Sequence, residues 1–195
     1  MRPRWSRGVW IALALALVHA TLLGVTAWDK SDTADESRYV AAAATLWANG
    51  DVGYLCGSPA LPRWGAALAL AAVDPGVGRT PREDPLRYVL TDVPPERLRR
   101  VLFAARVPTI LVVVAGGLAL ASAARRFGTT AAILTQALWC FSPTVLANGS
   151  LATLDAWTAA CLCGLRDRAV SDAARIAYRM KDQLLRLLNV LIETG

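Results

Sequence analysis

The chain has 195 residues, of which 55% are apolar and only 18% charged, a surplus of apolar over charged side chains that excludes an ordinary soluble domain and points to a membrane protein. Its net charge of +6 comes from arginines scattered through flanks and loops, without the basic stripe or aromatic signature of a nucleic-acid binder. Four cysteines, three of them (Cys140, Cys161 and Cys163) inside apolar runs, give no disulfide framework, and one histidine, His19, gives no structural zinc set.

The first element is an uncharged run from Val9 to Trp28, preceded by Arg2, Arg4 and Arg7 and long enough to cross a bilayer core. The same pattern of basic start, apolar middle and small-residue end also fits a secretory signal peptide cleaved before Trp28. From residue 29 to 100 the composition turns to charge, proline and glycine, which predicts a large extramembrane loop. Within it, Ser37 to Asn49 reads as a short helix with Asp35 or Ser37 near its start and Gly50 ending it. The stretch LPRWGAALALAAV is apolar but too short to span, so it reads as a surface-lying or re-entrant helix anchored by Trp64.

Residues 101–124 form a second predicted span, broken only by Arg106 near one end, and residues 129–148 a third, in which Pro143 is tolerated where neighbouring side chains satisfy the freed carbonyl. Residues 151–165 make a marginal fourth, with Asp155 near its start and Arg166 after it. The tail carries Val170, Ala173, Ala177, Met180, Leu184, Leu187 and Leu191 at three- and four-residue steps, an amphipathic helix suited to a partner helix or a membrane face. The expected architecture is therefore all-α: a multi-pass transmembrane bundle of about four spans, residues 1–165, followed by an amphipathic helical tail, residues 166–195. Arginines at the N-terminus, at Arg125 and Arg126, and after Arg166 put those segments in the cytoplasm by the positive-inside rule. The 29–100 loop, with ten acids against nine bases, is then external.

Two acidic elements stand out on that external side. Asp35 and Glu36 are successive residues and cannot share a helix face, so they present two carboxylates with different neighbours, and Arg38 follows close by. For an arbitrary Asp-Glu pair the plain reading is a solvated helix start. Asp155 lies at the mouth of an apolar run, where a charge is costly unless it meets a cavity or a partner.

The stretch DESRY followed by Gly50-Asp51 resembles the first external loop of the bacterial lipid-linked sugar transferases of the GT-C class, relatives of aminoarabinose transferase and protein O-mannosyltransferase. The order of ARVP, a basic turn ending in Phe127-Gly128, Ser142-Pro143 and LATLD is also similar to that family, so the resemblance covers most of residues 9–165. The separated prolines of CGSPALPRWGAAL depart from the family's Pro-Pro-Leu, the spans are fewer than in the family, and the tail does not resemble it. The resemblance implies transfer of a sugar from a polyprenyl-phosphate donor to an acceptor at the outer face of a bacterial cytoplasmic membrane, here in an N-terminal, truncated form. It makes Asp35 the expected base, Glu36 its support or, with Asp35, a ligand for a divalent ion such as Mg²⁺ or Mn²⁺, and Asp155 the second carboxylate. Arg38 and Arg106 become candidates for the lipid phosphate and Tyr39, inside the motif, for substrate. For Arg106 the alternative is snorkelling to the interface. The rival reading of the whole chain is a small non-catalytic membrane protein acting through helix association.

Overall fold

A computed structural model describes residues 7–55 and 59–164. The amphipathic tail helix expected from residue 166 onward, with its 170–191 stripe, lies outside the described residues. Every regular element among those described is helical, and the protein is an all-α membrane protein. Helix α1, Arg7–Asp29, is 23 residues long, about 35 Å at the helical rise, and meets the length and apolarity needed to cross a bilayer. Only 17% of its apolar window is buried within the protein, so most of that surface is matched to lipid or to other helices rather than to a core of its own.

The predicted loop is a packed helical layer. Helix α2, Ala34–Asn49, begins one to three residues earlier than the sequence suggested, because Thr33 is the N-cap: its hydroxyl accepts the Glu36 N–H at 3.3 Å. Gly50 ends the helix as expected, in the left-handed region at φ 65°, where a residue without Cβ is unstrained. Its middle, Val40 to Leu46, is buried on every side, which its four successive alanines permit by letting neighbours approach closely. Helix α3, Ala60–Val73, crosses α2 and the following long helix and is too short to span.

A 3₁₀ turn, Pro75–Arg79, then α4, Pro85–Arg87, and a π-helical turn, Tyr88–Asp92, complete this layer. They are pinned by one buried carboxylate. Asp74 accepts the Tyr88 hydroxyl at 2.7 Å and the Gly76 N–H at 2.9 Å, and it pairs with Arg97. Burial alone would raise its pKa, but those donors outweigh it and hold the carboxyl below its usual value.

Helix α5, Pro95–Ala124, contains the second expected span and extends through a 3₁₀ turn to Phe127. Its first half closes the loop layer, and its second half packs on α1 and on α6, Thr129–Cys140. The third expected span is bent: α6 and α7, Pro143–Gly149, meet at 56° across a break before Pro143, so they form either one broken span or a re-entrant loop. The start of the fourth is helical: α8, Leu154–Gly164, reaches the last described residue. It lies so close to α5 that a Cβ on Gly116 would fall 2.8 Å from that of Ala160. Among the described residues, two helices are long and apolar enough to cross a bilayer, or three where the bent pair is one span.

Candidate functional site

The site is organised by a buried ion pair rather than by the exposed acids. Glu36 and Arg106, both fully buried, face each other from α2 and α5: Nε donates to Oε1 at 2.7 Å and Nη2 to Oε2 at 2.6 Å, the two-pronged geometry of a guanidinium on a carboxylate. Arg106 spends its remaining donors on main-chain carbonyls, Ala27 and Lys30 through Nη1 and Ser31 through Nη2, where α1 ends and its last carbonyls lack helical partners. Glu36 Oε1 also accepts the Ala152 N–H at 2.8 Å. Four segments thus meet at one point: the end of α1, the start of α2, α5, and the turn before α8.

This clamp accounts for the placement of Asp35 and Asp155. Asp35 is the residue before Glu36, and Asp155 follows Ala152 by three positions, so fixing Glu36 against both Arg106 and Ala152 brings the two acid-bearing segments together. Tyr39 lies one turn after Asp35 on the same face of α2, half-buried, with its hydroxyl pushed to a higher pKa first by burial, then by the charge of Asp35 and then by that of Asp155. Glu36, one residue from Asp35 and so about 100° around the helix, is turned into the core.

Asp155, exposed in the first turn of α8, lines a cavity of about 240 Å³ with Thr144, Asn148 and otherwise apolar walls from α5, α6, α7 and α8. Tyr39 lines a separate narrow cleft with Arg63, Thr109, Thr153 and Trp157, where the Trp157 N–H donates to the Thr109 hydroxyl at 2.9 Å. Arg38 is exposed and forms no ion pair among the described residues.

Three assignments change in the light of this geometry. All five N–H groups of Arg106 are engaged within the protein, so none is left for a lipid phosphate, and its burial is the opposite of snorkelling. Glu36 has both oxygens committed to a cation and an amide, so it neither supports a base from the solvent side nor suits a divalent ion. Asp35 is then a lone exposed carboxylate, and among the described residues no group of three His, Cys, Asp or Glu side chains forms a metal site.

Two residues not singled out from sequence belong to the frame. Arg63, nearly buried in α3, donates to the carbonyls of Val52 and Tyr54 at 3.0 and 2.9 Å, and so holds the segment after Gly50-Asp51. Lys30 Nζ donates to the Ala147 carbonyl at 2.9 Å and to Ser150 Oγ at 3.1 Å, tying the end of α1 to the end of α7. Burial and the Arg106 charge lower its pKa, against the opposing pull of Glu36. A charge within an apolar run was the available sequence signal for Arg63. No protein-family model, curated protein or solved structure matches this chain.

Proposed function

We propose that the protein takes part in transfer of a sugar from a polyprenyl-phosphate donor to an acceptor hydroxyl at the outer face of a bacterial cytoplasmic membrane, with its N-terminus in the cytoplasm. The supporting observation is that Glu36, bonded to the Ala152 N–H, ties the segment bearing Asp35 to the segment bearing Asp155, joined to the motif order that resembles the GT-C sugar transferases. In this reading Asp35 takes the proton of the acceptor as its oxygen bonds to the sugar C1 and the C1–O bond to the phosphate breaks. Asp155 orients the acceptor or sugar, and Tyr39, one turn after Asp35 on α2, contributes to substrate contact. Arg38, exposed beside them, steadies the departing phosphate. Glu36 and Arg106 act as positioning residues.

The test is release of labelled sugar from a polyprenyl-phosphate donor by the purified full-length protein. Asp35→Asn is expected to lower turnover by about 10²-fold or more, with Asp155→Asn also lowering it, while both variants keep wild-type thermal stability. Turnover unchanged in both removes the transferase reading. The alternative, a non-catalytic membrane protein acting through helix association, is favoured by one observation: two of the six candidate residues, Glu36 and Arg106, are wholly occupied inside the fold.

A further inference from the structure

At the end of the bundle remote from Asp35 and Asp155, an apolar groove of about 150 Å³ runs between α1, α5 and α6, lined along its length by Val9, Leu13, Leu118 and Ile133. Arg125, Ser122 and Thr129 close its polar end. Arg125 is exposed and has no ion pair or hydrogen-bond partner among the described residues. Among the described residues the surroundings have one sign of charge: Arg7, Arg125 and Arg126 gather here, and neither α1 before Asp29 nor the chain from Arg97 to Leu154 contains an acid. Helix α6 begins at the same place without a side-chain cap, since its N-cap is Gly128, so its first N–H groups add a partial positive charge.

We propose that this groove holds one anionic phospholipid, an acyl chain lying against Leu13, Leu118 and Ile133 and the headgroup phosphate on the Arg125 guanidinium. An apolar trough in a spanning bundle meets lipid in any case. A zwitterionic lipid, whose choline cation offsets its phosphate, gains less from an end whose described charges are all positive than an anionic one does. The guanidinium adds two parallel hydrogen bonds to phosphate oxygens, which the hydroxyls of Ser122 and Thr129 can supplement. The proposal is independent of the transferase reading, because it uses none of the residues at the other end.

The test is native mass spectrometry of the full-length protein purified in neutral detergent and offered phosphatidylglycerol or phosphatidylcholine of identical chains. Wild type is expected to retain one phosphatidylglycerol with about tenfold preference over phosphatidylcholine. Arg125→Gln should abolish the preference. Arg126→Gln, which removes the same charge from a side chain lying over the Phe127 ring instead of lining the groove, should retain it. Ala12→Phe, which fills the groove from α1, should lose the bound lipid while Arg125 is intact. Thermal unfolding of each variant in phosphatidylcholine separates loss of the site from loss of the fold. Equal retention of the two lipids by wild type, or equal loss in Arg125→Gln and Arg126→Gln, overturns the proposal.

Discussion

The helical layer formed by residues 29–100 and the bundle of spans beneath it are built against different solvents. In the layer, α2 buries every residue from Val40 to Leu46, and the polar groups that are buried with it are held by specific partners: Glu36 by Arg106, Asp74 by Tyr88 and Arg97. In the spans the proportions invert. Leu17 is 70% exposed, Leu111 65% and Leu138 75%, and the shared interior reduces to a small set around Leu23, Ile110 and Val113. The difference teaches that the layer is specified by its charges and the spans by their length and apolarity. Its consequence is a gradient of sensitivity: single polar substitutions in the layer should be felt strongly, whereas apolar exchanges on the lipid-facing surface should not.

The sharpest way to break the contrast is Arg106→Met, which leaves the Glu36 carboxylate buried without its cation. It should lower stability by about 3–5 kcal/mol, read as thermal unfolding in detergent. Replacing both partners, Glu36→Met with Arg106→Met, should recover only part of the loss. The double variant removes the unpaired charge but still deprives the carbonyls of Ala27, Lys30 and Ser31 of their donors. A double variant as stable as wild type would mean that the clamp contributes specificity alone.

A smaller effect is expected at Asp74, where Asp74→Asn should cost about 1.5–3 kcal/mol at neutral pH. Because its folded pKa lies below the ordinary value near 3.8, the carboxylate stabilises the fold above that value. That contribution is lost as pH falls through the lower, folded value. The gap between wild type and Asp74→Asn should therefore be complete at pH 7 and close only below about pH 4. A gap independent of pH would assign the effect to packing.

How far the sequence could be read follows the same division. Hydropathy found α1 and the apolar part of α5 because a bilayer core demands a long uncharged run and little else. The same signal could not show the 56° bend between α6 and α7 although it registered Pro143. In the loop, local chemistry located α2 and its Gly50 end. It misplaced the cap because Thr33, Asp35 and Ser37 all suit that role and only the chain path chooses. The pair Thr33 and Glu36 even has the spacing of a reciprocal cap, yet the Glu36 carboxylate goes to Arg106, 70 residues away. The roles of Glu36 and Arg106 were unreadable for that reason. A pair formed across two helices leaves no periodic trace, and nothing in a sequence letter distinguishes an exposed acid from a buried one.

The smallest expected effect bears on the acids themselves. Asp35 and Asp155 are exposed, so changing either to Asn should alter stability by no more than about 0.5 kcal/mol, in contrast with the neighbouring Glu36. Their influence should be visible instead in the alkaline titration of Tyr39, followed by ultraviolet absorbance as the difference from Tyr39→Phe. Wild-type Tyr39 should ionise above the ordinary 10.0, because burial and two nearby negative charges all disfavour phenolate. Asp35→Asn should lower that midpoint more than Asp155→Asn, and the double variant should retain only the part due to burial. The weaker shift is the decisive one. Asp35 sits one helical turn from Tyr39 and would act on it in any fold that keeps α2, whereas Asp155 can reach that hydroxyl only if the clamp on Ala152 brings α8 against α2. A midpoint that ignores Asp155→Asn would separate the two acids and leave the transferase reading without its site.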